Sequence, residues 1–254
     1  MLQPSQSSSQ SWLSPPDHLS LTDRDVHIWR ASLEQPAALV TSLRQLLSED
    51  EQARADRFHF EKDRRHFIVA RGFLRQLLGR YLEIAPAAVR FTYAEHGKPQ
   101  LASDLAGQLK FNLAHSGGLA LYAFTRISEI GIDLEQIRPH FTGDDVARRF
   151  FSVTEIGCLN QQPAAARLKA FFNCWTRKEA FIKAKGLGLS LALDQFDVTL
   201  NPDEPAALLR TRWDESEAPR WSLQAIDPGP DFAGAVAIEA KDWEISCWEF
   251  VLVA

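Results

Sequence analysis

Between Ala164 and Lys185 the chain carries a helical apolar stripe interrupted by one acid. Leu168, Phe172, Trp175, Glu179 and Ile182 follow at spacings of four, three, four and three residues, which is one face of an α-helix. A carboxylate on a buried face is costly unless it is neutralised, solvated or bound to a cation. The helix must therefore pack against something that accommodates Glu179, and this restricts the fold more than any other stretch. Gly186 and Gly188 stop the helix. Lys183, one turn beyond Glu179, offers one answer, an ordinary helix pair worth about 0.3–0.5 kcal/mol. Exposed pairs do not usually continue an apolar stripe from a tryptophan, so a bound cation stays open beside it.

A second source of acid lies upstream. Ile130 to Glu135 reads as a strand, so Asp133 and Glu135 share one face while Ile132 and Leu134 take the other. Two neighbouring carboxylates repel unless water screens them, as on a wet edge strand, or a cation sits between them. Three acids from a strand and a helix suit magnesium, a hard ion that leaves positions for phosphate and water. Lys98, Lys178, Lys183 and Lys185 would offset a polyanionic ligand. These residues together point to phosphoryl chemistry.

The 254 residues contain 45% hydrophobic and 24% charged side chains, the balance of a soluble globular protein. A net charge of −5 argues against a nucleic-acid binder. Cys158, Cys174 and Cys247 have no metal-ligand spacing and are read as reduced thiols. No run approaches the roughly 18 apolar residues of a membrane span, and no signal peptide is recognisable. A cytoplasmic protein without nucleic-acid or membrane partners is expected.

Residues 1–20 form a Ser-, Gln- and Pro-rich tail, expected to be largely disordered through Asp17. Val26 to Arg30 predicts a strand, Pro36 to Leu47 a helix, and Ser48 with Glu51 a capping box opening a helix to Arg57. A longer helix is expected from Lys62 to Tyr81. Its polar side carries Arg64, Arg65, His66, Arg71, Arg75 and Arg80, either a solvated face or an anion-binding wall. Val89 to Tyr93 is strand-like, and His96 to Gln100 is a turn in which Pro99 keeps Lys98 extended. Leu109 to Asn112 predicts a short strand ahead of a turn containing His115 and Ser116. Leu119 to Thr125 and Ile130 to Glu135 suggest an antiparallel hairpin. Short helices over 144–151 and 154–160 precede the long helix, and strands at 195–200, 221–226, 233–238 and 244–253 follow it.

Both halves have the same order: a long helix with apolar and basic faces, a glycine, then strands. Phe67 to Gly79 compares with Phe172 to Gly186, and Val89 to Tyr93 with Phe196 to Leu200. The expected fold class is α+β, two duplicated α/β lobes related by a pseudo-twofold axis, with the active site at the lobe interface. The lobes would be 21–126 and 127–254.

The set Gly97-Lys98-Pro99, Phe111-Asn112-Leu113-Ala114-His115-Ser116, Gly131-Ile132-Asp133-Leu134-Glu135 and Trp175-Thr176-Arg177-Lys178-Glu179-Ala180-Phe181-Ile182-Lys183 resembles the 4′-phosphopantetheinyl transferase superfamily in its two-lobed form. The likeness runs from about residue 25 to 240. It implies transfer of the 4′-phosphopantetheine arm of coenzyme A, the co-substrate, to a serine of an apo acyl or peptidyl carrier protein, with release of 3′,5′-ADP. By the resemblance Asp133, Glu135 and Glu179 would hold magnesium, or manganese in its place, and Lys183 and His115 would meet phosphate oxygens. Glu179, Lys183 and His115 are the expected catalytic residues. Lys98 and Pro99 would line the adenine side, Ser116 and Lys178 would belong to the coenzyme site, and Arg54, Arg65 and His66 lie near the 3′-phosphate positions. Ala114 stands where the family often has serine, which removes one hydroxyl contact. A monomer is expected, because the duplicated halves form the cleft internally. Phe141, Phe150 and Phe151, with Arg148 and Arg149, are candidate carrier contacts.

Three rivals come from other classes. A catalytically silent coenzyme A or nucleotide sensor has no need of all three acids. A metal-dependent nuclease is disfavoured by the net charge and by the lack of a lysine after Asp133-x-Glu135. A His-Ser hydrolase is disfavoured because no Gly-x-Ser-x-Gly elbow exists.

Overall fold

The computed structural model describes residues 11–94, 97–105, 107 and 109–251. Strand β1 (Asp25–Ser32) is followed by helices α1 (Ala37–Leu46), α2 (Glu49–Asp56) and α3 (Glu61–Leu82). Next come β2 (Phe91–Tyr93), β3 (Pro99–Leu101), β4 (Lys110–Ser116), β5 (Leu119–Thr125) and β6 (Ile130–Gln136). The second half adds α4 (Asp144–Phe150), α5 (Val153–Asn160), α6 (Ala164–Lys185), β7 (Phe196–Val198), β8 (Leu208–Thr211), β9 (Ser222–Ile226), β10 (Phe232–Ile238) and β11 (Glu244–Glu249). His96 in the expected turn, and residues 252–253 of the expected last strand, lie outside the described residues. Among the described residues no helix is long and apolar enough to cross a membrane.

Two sheets organise these elements, one in the order β11-β1-β5-β4 and one in the order β6-β10-β9. Each is covered by one 22-residue helix, α3 on the first and α6 on the second. The sheets' other faces meet each other. Val26, Ile28, Leu121 and Ala123 of the first pack with Ile130, Ile132, Leu134 and Val236 of the second. The result is helix, sheet, sheet, helix, with an apolar seam between the halves. The repeated order extends further. α3 ends at Glu83 and α6 at Gly186, both left-handed, and each half then builds a two-stranded ribbon, β2–β3 or β7–β8.

The expected β5–β6 hairpin does not form. β5 has two edges, and β1 and β4 occupy both, so the Arg126–Glu129 connection carries the chain into the other sheet. There β6 pairs with β10, with Asp133 opposite Ala235. β4 also runs longer than expected, so His115 and Ser116 are strand residues and the turn is Gly117-Gly118. The tail departs from disorder at Trp12 and Leu13. Leu13 bridges to Trp248 on β11, and the Trp12 indole donates to the Asp227 carbonyl at 2.8 Å.

The arginine stripe of α3 resolves as two different things. Arg71 and Arg75 are buried and turn onto Glu51 of α2, donating from Nε at 2.8 and 2.6 Å. Glu51 also accepts from the Ser48 backbone in the capping box. Two of the wall's arginines are therefore structural, because a buried acid from the preceding helix claims them. Removing one member of such a network leaves an uncompensated charge. Glu51→Ala is expected to cost about 3–5 kcal/mol, read as a lower urea midpoint.

Candidate active site

The site starts from a glycine. A Cβ on Gly131 would lie 2.1 Å from the Ala180 carbonyl oxygen and 2.4 Å from the Ala184 nitrogen, so β6 touches α6 backbone to backbone. Side chains alternate along a strand, so Asp133 and Glu135 face α6 as well, while Ile132 and Leu134 enter the seam between the sheets. The two acids of β6 are thereby aimed at the helix face that carries Glu179 and Lys183.

Lys183 Nζ lies 2.6 Å from Asp133 Oδ1 and 3.3 Å from the Ile132 carbonyl. Asp133 Oδ2 is buried with no hydrogen-bond partner. Burial, then the charge of Asp133, raises the Glu179 pKa to about 7 against the pull of Lys183, and Glu135 adds to the rise. The Glu135 pKa is raised for the same reasons in the same order, opposed by a hydrogen bond from Ser116 and by Lys183. Among the described residues no three His, Cys, Asp or Glu side chains stand close enough to enclose an ion unaided. What the geometry does show is a patch with more negative charge than Lys183 can neutralise.

Strand β4 is stitched to β6 across the two sheets by side chains. Asn112 Oδ1 accepts from the Ile132 N–H at 2.9 Å. Ser116 Oγ accepts from the Gln136 N–H at 3.1 Å and donates to Glu135 Oε2 at 3.0 Å. Ser116 thus holds an acid of the site, a role its sequence position did not reveal. His115 lies on the opposite face of β4, within electrostatic reach of Lys183. Lost hydration, then the nearby charges of Lys183 and His66, hold its pKa below the usual histidine range.

Lys98 comes from the other half. Its Nζ donates to the Lys183 carbonyl at 2.8 Å and to the Ile130 carbonyl at 3.3 Å, and burial lowers its pKa. A cavity of about 220 Å³ opens between the halves, with Lys98, Pro99, Asn112, Ile182, Lys183 and Gly186 in its walls. Lys98, Pro99, His115, Ser116, Asp133, Glu135, Glu179 and Lys183 therefore gather along one cleft.

Four expected residues stand apart from that group. Lys178 is fully buried, paired with Glu155 at 2.8 Å and donating to the carbonyls of Leu193 and Phe196 at 2.6 Å each. It is a correction: one residue before Glu179 on a helix is about 100° away, which here is the core of the second half. The signal was present, since Ser152 and Glu155 form a capping box whose acid is buried. Arg65 donates to the Gln35 carbonyl at 2.7 Å, and His66 Nε2 lies 3.0 Å from Glu34 Oε1. Arg54 is exposed, 5.5 Å from the Phe67 ring centre. Of these three, His66 comes within electrostatic reach of His115. Among the candidate carrier contacts, Phe151 is buried against Phe171 and is unavailable to a partner.

The carboxylate patch predicts a pH response. The folded protein keeps the Glu179 proton up to about pH 7 whereas the unfolded chain releases it near 4.5, so stability falls as pH rises through that window. His27 and His115 work the other way, since burial lowers both pKa values from 6.5, to about 4 for His27, and their effect still runs on above pH 6.5. The carboxylate effect is therefore read as the difference between the parent and Glu179→Gln. Without metal, the parent's Tm is expected to fall relative to that of Glu179→Gln as pH rises from 6.5 to 7.5, and millimolar magnesium is expected to abolish that relative fall.

Two family descriptions match this chain. Residues 27–126 match "4′-phosphopantetheinyl transferase, N-terminal", and residues 129–239 match "4′-phosphopantetheinyl transferase superfamily". The chain is 41% identical over 241 residues to the 4′-phosphopantetheinyl transferase HetI of Nostoc sp., covering 94% of this chain and 98% of that one. It is 31% identical over 192 residues to the 4′-phosphopantetheinyl transferase Sfp of Bacillus subtilis, covering 75% of this chain and 82% of that one.

Proposed function

The chain belongs to the 4′-phosphopantetheinyl transferase superfamily, and from that premise we propose that it moves the 4′-phosphopantetheine arm of coenzyme A onto a serine hydroxyl of an apo carrier protein, releasing 3′,5′-ADP. The observation that carries the site assignment is the crowding of Asp133, Glu135 and Glu179, with an orphaned Asp133 oxygen and a Glu179 pKa near 7. Hard oxygen donors in excess of their counter-charge suit magnesium. Asp133, Glu135 and Glu179 would hold the ion. When bound it neutralises charge on the coenzyme's diphosphate.

This chain's own residues do the rest. The serine oxygen attacks the phosphorus next to the pantetheine arm in line with the departing nucleotide phosphate. Lys183, already poised beside Asp133, stabilises the charge that develops on the leaving oxygen. His115 donates to a phosphate oxygen from the opposite wall of the cleft. Lys98 and Pro99 take the adenine side, with Arg65 and His66 towards the 3′-phosphate, where an anion would compete with Glu34. Glu179 takes the serine proton, as its carboxylate lies at the α6 wall of the cleft. The lobes divide as 21–126 and 127–254, with β11 returning to the first lobe's sheet. We take the enzyme to be cytoplasmic and monomeric, since both walls of the cleft come from one chain.

The carrier docks beside the cleft on α4. Arg148 and Arg149 are exposed there, and Phe150 packs on Trp175, one turn before Glu179. Reversing both arginine charges is expected to raise the KM for a carrier with acidic helices about tenfold while leaving coenzyme A binding unchanged. The function itself is tested by incubating the protein with coenzyme A, magnesium and a panel of apo carrier proteins. Intact mass should increase by one phosphopantetheine arm on at least one carrier. Free 3′,5′-ADP without a carrier adduct, or no reaction with any carrier, rejects the proposal.

A further inference from the structure

The β2–β3 ribbon forms a sheet of its own from two strands of three residues each. So short a ribbon is not stable alone in water, so its position must come from what holds it. Its register sets Phe91 opposite Leu101 and Tyr93 opposite Pro99. Lys98 directly precedes β3, and its ammonium reaches across the cleft to the Lys183 carbonyl at the last turn of α6. A tilt of the ribbon would move Lys98 and Pro99 together.

Arg71 grips the ribbon from behind. Its guanidinium carbon lies 4.5 Å from the centre of the Phe91 ring, and its Nη2 donates to the Tyr93 hydroxyl at 3.2 Å. Its Nε is fixed by Glu51 Oε1 at 2.8 Å, so the guanidinium cannot swing away. Arg75 shares Glu51 and lies 5.3 Å from the same ring, while Phe111 meets that ring at 5.9 Å between centres. One planar cation thus ties a helix-borne acid to both the first and the last residue of β2. A lysine would keep the charge but has neither the fork nor the flat face.

We propose that Arg71 is a positioning residue for coenzyme recognition: by clamping Phe91 and Tyr93 it fixes the ribbon so that Lys98 and Pro99 stand in the cleft. This rests on the reading of Lys98 and Pro99 given above as the adenine side. Arg71 touches no substrate and acts only through the ribbon.

The test uses Arg71→Lys in the full chain, which keeps a cation opposite Glu51. The Tm should stay close to the parent's. The KM for coenzyme A should rise roughly five- to tenfold, with kcat and the carrier KM changed less than about twofold. In a Lys98→Met background the same substitution should have little further effect, because the two act through one element. Amide exchange at Ala94 and Ala102, whose N–H groups close the ribbon onto the Lys98 and Arg90 carbonyls, should be faster in Arg71→Lys than in the parent. An unchanged coenzyme KM, or a rise repeated in full in the Lys98→Met background, overturns the proposal. If Lys98→Met alone leaves the coenzyme KM unchanged, it is the placement of the adenine that fails. The exchange rates then decide the clamp: faster exchange upholds it and unchanged exchange overturns it.

Discussion

Gly131→Ala is expected to lose about 3 kcal/mol or more of stability and at least about 100-fold in transfer rate. The added methyl would meet the Ala180 carbonyl at 2.1 Å and the Ala184 nitrogen at 2.4 Å. Both are backbone atoms of α6, so no rotamer change relieves the contact, and strand and helix must separate. Separation moves Asp133 away from Lys183, whose present distance is 2.6 Å. The two losses should appear together, as a lower urea midpoint and a lower rate at temperatures where the variant is still folded. A variant with parent-like stability would show that the close approach of β6 to α6 is not required.

Glu179→Gln is expected to separate activity from stability. Removing the carboxylate takes the proposed metal ligand and proton acceptor from the site, and the rate should fall at least about 100-fold. The same change removes a charge that Asp133 and Glu135 repel and burial disfavours. The Tm at pH 7.5 without metal should therefore rise. Loss of rate together with a gain in Tm cannot be attributed to unfolding. Unchanged turnover at saturating coenzyme A would remove Glu179 from the site.

How much of this was legible in the sequence depends on whether the cause was local. Glu179 on a stripe with Phe172 and Trp175, and Asp133 alternating with Ile132 and Leu134, follow from helical and strand periods alone. The repeated order of a long helix followed by strands was legible for the same reason, although α3 runs on past the expected stop at Gly79 to Leu82. Strand pairing was not. Thr125 and Ile130 are separated by four residues in a hairpin-like setting, yet β1 and β4 already fill both edges of β5. Charged residues whose partners lie far along the chain were misread. Lys178 was misplaced because its partner, Glu155, is 23 positions back on another helix. Arg71 and Arg75 were read as an open face because Glu51, a helix away, claims them. Gly131 carries the same lesson in reverse. It shares a strand face with Asp133 and Glu135, so the place where no side chain fits marks where the helix comes closest.

The central claim is that Asp133, Glu135 and Glu179 form one cation site facing the coenzyme's diphosphate. Titrating coenzyme A into the protein calorimetrically, once in magnesium and once in chelator, tests it most directly. The affinity of the parent should be clearly higher in magnesium, and Glu179→Gln should lose that difference while keeping the affinity seen in chelator. Equal affinity of the parent in both conditions would contradict the claim.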